Sequence, residues 1–473
     1  MGKINIYQEA ERCLLCQDAP CGRKVADAIR AIRFDNAARA KGLFEGENLE
    51  EAEKACIHYD RPLRIREMAD AITETPAKGK LPSLKIDFCA LQCENPFFLA
   101  SSAVCTNYEM VASAFEAGWG GVFYKTICLE EIREVSPRFD ASQREDRSFA
   151  GFRNMEQLSE NPPEVDFDIL RRLKRDYPSK IVIASIMGKD EKEWVQLAKM
   201  AEDAGVDAVE LNFSCPQMRY SGMGSDVGQD PEQVLILTYL VKESVSIPVI
   251  PKMTPNVSSM AFVSSAAYFA RADAISAINT VKSVTTNRRS EVAGKHMISG
   301  YSGRAIKPIA LRFILEMAAN PFMRHVQLSG IGGIYTWRDA LDFIQLGCRN
   351  VQVCTAVMEN GQRIIEDLVW GLQNYMLEQG ITSLNQLVKK DVPKFALPSD
   401  MDRDTKVYPL INREECIGCG RCHISCRDGG HQAIAFEDRK PRILGDKCVG
   451  CHLCTLVCPT GAMGISKRVP KSS

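Results

Sequence analysis

The sequence predicts the α/β class, with a closed barrel of eight strand–helix units at its centre. Two observations carry this. Eight short apolar runs occur at 97–101, 121–125, 181–186, 207–212, 248–253, 273–278, 325–329 and 350–354, with helical periodicity between them, as at 190–204, 230–244, 305–319 and 335–346. The runs are continuously apolar, as parallel strands buried on both faces must be. Eight such units imply a (β/α)8 barrel with its chemistry at the C-terminal strand ends. A doubly wound open sheet is the alternative. The barrel is expected over 79–395, after a helical segment (1–78) and before a cysteine-rich domain (396–473).

In the first segment, Cys13-x2-Cys16-x4-Cys21 precedes amphipathic stretches near 24–42 and 48–56, and Cys56 follows. TETPAKGKLP (73–82) reads as a linker. The last domain holds Cys416-x2-Cys419-x2-Cys422-x3-Cys426 and Cys448-x2-Cys451-x2-Cys454-x3-Cys458-Pro459. At this spacing three thiolates hold one [4Fe–4S] cube and the fourth crosses to the other. One cluster then takes Cys416, Cys419, Cys422 and Cys458, and the other takes Cys448, Cys451, Cys454 and Cys426. Zinc, the rival, wants four ligands in a simple tetrahedral set. Arg427 stands where the second run has proline.

The net charge of −1 gives no electrostatic case for nucleic acid or an anionic membrane. The 19 cysteines gather mostly in C-x2-C groups, the pattern of intracellular metal or redox work. No apolar run reaches ~18 residues and no leader is seen, so a cytoplasmic location is expected.

Polar residues crowd the strand ends: Ser101-Ser102, Lys125-Thr126, Asn212-Phe213-Ser214-Cys215-Pro216, Lys252, Asn279-Thr280, Gly330-x-Gly332-Gly333 and Cys354-Thr355. Two lysines with a glycine pair after strand seven suggest a phosphate-bearing cofactor. FMN fits best, since clusters need a partner that takes two electrons and releases them singly.

GWGGVFYKT, NFSCPQ, KMTPN, AINTVKS, SGYSGRAIKPIALR and SGIGGI resemble the FMN domain of the dihydropyrimidine dehydrogenase family, and less closely dihydroorotate dehydrogenase. The resemblance runs from about 84 to the C-terminus and is strongest to the catalytic subunit of bacterial NAD-dependent members. It implies interconversion of uracil or thymine and the 5,6-dihydro forms, by hydride transfer at FMN N5 and proton transfer by Cys215. It places Asn154, Glu156, Asn212, Ser214, Asn279 and Thr280 on the substrate. Lys125 and Lys252 match flavin-side lysines, and Ser101, Gly303, Gly332, Gly333, Cys354 and Thr355 match the flavin and phosphate shell.

Two features lean away from orotate. Glu156 would face its carboxylate with like charge, and Gln217 stands where class 1 dihydroorotate dehydrogenases have asparagine. A dihydroorotate dehydrogenase-like enzyme remains an alternative, as does an electron-transfer subunit that turns over no pyrimidine.

No G-x-G-x-x-G follows a strand, so the chain is not expected to bind NAD(P)H itself; the resemblance implies that a separate FAD-containing subunit oxidises it. By resemblance a homodimer core is expected within that hetero-oligomer. EAERCLLCQDAPC resembles the opening of the FAD-bearing component, although Val25 replaces a family cysteine. This implies a third [4Fe–4S] cluster on Cys13, Cys16, Cys21 and Cys56, with a zinc site or an empty remnant as alternatives. Cys89, Cys93, Cys105, Cys128, Cys348 and Cys354 are expected to pack, Cys354 also lining the phosphate loop. His423 and His452 are expected to face solvent.

Overall fold

The computed structural model describes residues 4–144, 149–218, 222–286, 291–396 and 398–471. The chain divides into two compact units, Met1–Pro393 and Lys394–Ser473.

In the first unit, eight parallel strands close a barrel in chain order. They are β1 (Phe97–Leu99), β2 (Gly121–Ile127), β3 (Ile181–Ile186), β4 (Ala208–Asn212), β5 (Val249–Met253), β6 (Ala274–Ala277), β7 (Gln327–Ile331) and β8 (Cys348–Val353). Closure rests on β5 and β6, where Ser276 lies opposite Lys252 and Ala277 opposite Met253. That closure removes the open-sheet alternative. Every residue of β3, β4 and β5 is buried, which is why these strands read as mainly apolar runs, interrupted by Ser185, Glu210, Asn212 and Lys252. β2 runs past its expected end because its register against β3 shifts between Tyr124 and Ile127. Lys125 and Thr126 sit in that irregularity, at the rim where bulges re-aim side chains. The helices Glu191–Asp203, Pro231–Ser244, Lys307–Ala318 and Trp337–Gln345 fall on the expected periodic segments.

A four-stranded antiparallel sheet was not foreseen. Its order is Val281–Ser283, Ser299–Ser302, Phe149–Asn154, Phe139–Gln143. Arg153 stitches it from inside: almost wholly buried, it donates to Ser299 Oγ at 2.7 Å and to the Met297 carbonyl at 2.8 Å.

Residues 4–75 form five short helices around a core that includes Ala10, Val25, Ile29, Ile32, Ile65 and Met68. The stretch expected near 24–42 is two helices, Arg23–Arg33 and Ala37–Phe44, broken where Asp35 turns left-handed (φ 66°). The break frees Asn36 Nδ2 to donate to the Asp367 carbonyl at 2.9 Å. Asp367, fully buried, accepts from Arg30 Nε at 2.6 Å and from an Arg39 guanidinium nitrogen at 2.7 Å. This segment is thereby bound to the barrel helix Ile364–Glu378.

The second unit pairs two helices, Arg421–Gly429 and Leu453–Leu456, with three antiparallel two-stranded ribbons. Here the expectation for His423 is corrected. Its Nδ1 lies 2.6 Å from the Ile434 carbonyl and its ring stacks on Phe436, so it is a packed residue. His452 is likewise only half exposed. Among the described residues no helix is long and apolar enough to cross a membrane.

Candidate active site at the barrel mouth

The strand ends open into a cavity of about 980 Å³, part of it open to solvent. Its walls include Ser101, Lys125, Asn154, Glu156, Asn212, Cys215, Lys252, Asn279, Thr280, Gly303, Gly332, Gly333, Cys354 and Thr355. Ser214 is apart from these. Fully buried, it donates to Asn212 Oδ1 at 2.7 Å and accepts from Asn279 Nδ2 at 2.8 Å. Its place is behind the two asparagines, holding their amides.

A second polar layer ties neighbouring strands. Thr126 Oγ1 accepts from Asn212 Nδ2 at 2.9 Å and exchanges hydrogen bonds with Ser101 and Ser185 at 3.1 and 2.9 Å. Ser185 in turn donates to Glu210 at 3.0 Å, and Glu210 lies 3.5 Å from Lys252 Nζ. Lys125 Nζ lies 2.9 Å from Glu156, whose other carboxylate oxygen accepts from Arg138 at 3.2 Å. Each buried lysine therefore has its own carboxylate, the condition on which a buried charge is tolerated. Cys215 is 5% exposed, and burial pushes its thiol up to about 11, outweighing the Gln217 amide and Lys125, which act the other way.

The cavity's chemistry fits a flavin mononucleotide. Gln352 Nε2 donates to Ser276 and Ser329 at 3.1 and 2.8 Å, which turns its Oε1 elsewhere, buried and without a partner. Gln217 behaves alike: its Nε2 donates to the Asn154 and Glu156 carbonyls at 3.1 and 3.0 Å and its Oε1 is left over. Both residues line the cavity. Buried acceptors without donors are costly, so a ligand that brings a few N–H or O–H donors, as the ring N3–H and ribityl hydroxyls of a flavin do, is the natural complement. Gly332 and Gly333, at φ 127° and 73°, bring bare backbone to the loop after β7. A Cβ on Gly333 would stand 2.7 Å from Lys307 Cβ. Gly333→Ala is expected to cost ~1–2 kcal/mol in stability and to lower the flavin retained on purification. Unchanged melting and full flavin occupancy would show that the loop has room.

Gln352, Gln157, Phe139, Phe152 and Tyr335 also line the cavity but were not singled out from sequence as site residues. The signal for Gln352 was present, a polar residue inside the apolar run Val351–Val353 of β8.

In the second unit, Cys416, Cys419, Cys422 and Cys458 line one small pocket. Cys426, Cys448 and Cys454 are buried and share one small core with Cys422. In the first unit Cys13 lies in the helical core, with Cys21 and Cys56 packed against that core and Cys16 partly exposed. Among the described residues no three metal-ligating side chains converge on a point that one ion would fill.

Residues 83–376 match the family model described as dihydroorotate dehydrogenase, and residues 409–465 match the 4Fe-4S dicluster domain. The chain is 50% identical over 362 residues to the NAD-dependent dihydropyrimidine dehydrogenase subunit PreA of Escherichia coli, covering 75% of this chain and 88% of that one. It is 33% identical over 343 residues to the chloroplastic dihydropyrimidine dehydrogenase (NADP(+)) of Arabidopsis thaliana, covering 69% and 80%. It is 35% identical over 309 residues to the catalytic subunit of dihydroorotate dehydrogenase B (NAD(+)) of Pyrococcus furiosus, covering 65% and 98%. A polar cavity at the mouth of such a barrel, a dicluster domain and these likenesses place the chain in the dihydropyrimidine dehydrogenase family of oxidoreductases, on a dihydroorotate dehydrogenase-type barrel.

Proposed function

We propose that this chain interconverts uracil or thymine and their 5,6-dihydro forms. FMN would be held by Lys125, Lys252, Ser101, Gly303, Gly332, Gly333, Cys354 and Thr355, and two [4Fe–4S] clusters by the C-terminal cysteines. A third cluster on Cys13, Cys16, Cys21 and Cys56, a homodimer core, and a separate FAD-containing subunit that oxidises NAD(P)H in the cytoplasm complete the reading. A bound flavin supplies hydride exchange with the ring and passes electrons singly to the clusters.

The observation that carries the proposal is a buried thiol facing a cavity lined with amides. Near neutral pH Cys215 holds its proton, ready for C5 of the ring. Asn154 Oδ1 already accepts from the Glu156 amide at 2.8 Å, which leaves its Nδ2 for a ring carbonyl. Asn212 and Asn279 are fixed by Ser214 and Thr126, so ordering them costs nothing when substrate arrives.

The sequence argument against orotate needs correction. Glu156 is compensated by Lys125 and Arg138, so its charge does not stand free to repel a carboxylate. Preference for the neutral ring rests instead on likeness, 50% to the dihydropyrimidine dehydrogenase subunit against 35% to dihydroorotate dehydrogenase B.

Anaerobically reduced protein titrated with uracil, thymine and orotate tests this. Uracil and thymine are expected to reoxidise the flavin, and orotate to do so far less. Reoxidation by orotate alone would favour the dihydroorotate reading, and by none of them the electron-transfer subunit. Iron analysis is expected to find about twelve atoms per chain, and about eight would remove the third cluster.

A further inference from the structure

The two cysteine runs of the C-terminal unit repeat one another: Cys416-Ile417-Gly418-Cys419-Gly420-Arg421-Cys422 against Cys448-Val449-Gly450-Cys451-His452-Leu453-Cys454. The backbone repeats as well, at φ 64° and 77° for Gly418 and Gly450, then 72° and 62° for Gly420 and His452. At the last position one run has glycine, the residue best suited to a left-handed backbone, and the other a histidine, which tolerates it less well than glycine. A side chain kept where its counterpart is glycine needs a reason.

A second observation supplies one. His452 Nδ1 is buried and has no hydrogen-bond partner. Among the described residues of Lys394–Ser473 it is the one buried side-chain nitrogen or oxygen in that condition. His423, in the helix after the first run, satisfies its own Nδ1 on the Ile434 carbonyl. Buried polar atoms in folded proteins find partners, and an orphan points to a group that belongs there. His452 stands directly between two cysteines of one ligand set, and a cluster offers sulfur acceptors at that place.

We propose that His452 donates Nδ1–H to the cluster held by Cys448, Cys451, Cys454 and Cys426, and so sets it at a higher potential than the neighbouring cluster. Hydrogen bonds to cluster sulfur favour the reduced, more negative state. The matching position of the other cluster, Gly420, has no side chain to donate. The two clusters are thereby unequal, and an electron entering the unit settles on the one beside His452. This rests on the ligand set proposed above.

The test is an EPR-monitored redox titration of the loaded full-length chain at one fixed pH, with His452→Gly and His452→Asn. In His452→Gly one cluster is expected to move to a more negative midpoint while the other stays, with thermal stability equal or raised because glycine accepts this backbone. Asparagine tolerates the left-handed region and keeps a donor, so His452→Asn is expected to lie nearer the parent chain. Fully loaded His452→Gly with both midpoints unmoved would overturn the hydrogen bond. A parent chain whose C-terminal unit binds fewer than two clusters would instead overturn the ligand set beneath it, and the proposal with it.

Discussion

Cys215→Ala is expected to lower pyrimidine turnover by ~10²–10⁴-fold, the usual loss when a positioned acid or base is removed. Flavin content and ring binding should survive, because the residues that line the rest of the cavity hold one another without the thiol. The pH dependence has a definite sign. Burial holds the Cys215 thiol up to about 11, so the proton donor is fully populated at neutral pH and is lost only as pH climbs toward that value. Ring reduction should therefore stay level through neutrality and fall in strong alkali. Ring oxidation needs the thiolate as base, so it should rise with pH over the same range. Single-turnover flavin oxidation by uracil, measured beside flavin content, separates these effects. Undiminished turnover in Cys215→Ala would remove this residue from proton transfer.

Asp367→Ala should give the largest loss of stability. Asp367 is wholly buried and pairs at 2.6 and 2.7 Å with Arg30 and Arg39. Arg30 is also buried, and it reaches Glu366 at 2.7 Å. Taking away Asp367 removes the one fully buried carboxylate of this network and leaves Arg30 only Glu366 and Asp27, with a cost of ~3–5 kcal/mol expected for breaking a buried pair. The expected result is a markedly lower denaturation midpoint, with early proteolysis in the first 75 residues, whose helices carry the arginines. A wild-type midpoint and digestion pattern would mean that water or Glu366 replaces the aspartate at no cost.

Much of the architecture could be read from residue order. Ile181–Ile186 and Val249–Met253 are strands buried on both faces, and burial of every residue leaves an apolar run that needs no tertiary information. The cysteine spacing is similarly local, because a cube must be gripped by a short loop. Lys125, Asn212, Cys215 and Lys252 could be placed at one mouth from the strand ends alone, since a parallel barrel sends all those ends to the same face.

Other features depended on chain segments that meet only in the fold. The antiparallel sheet joins Phe139–Asn154 to Val281–Ser302, and neither stretch is long enough for its alternation to declare itself. Ser214 belongs to the same motif as Asn212 and Cys215, yet the chain's turn carries it behind the cavity wall. The charge of Glu156 looked free in sequence and is spent on Lys125 and Arg138. Periodicity records whether a residue faces apolar or aqueous surroundings, so it revealed the strands and the mouth they share. Which polar group answers which is decided by side chains brought in from different strands, as Asn212 and Thr126 are across 86 residues, and only the closed barrel sets those pairs.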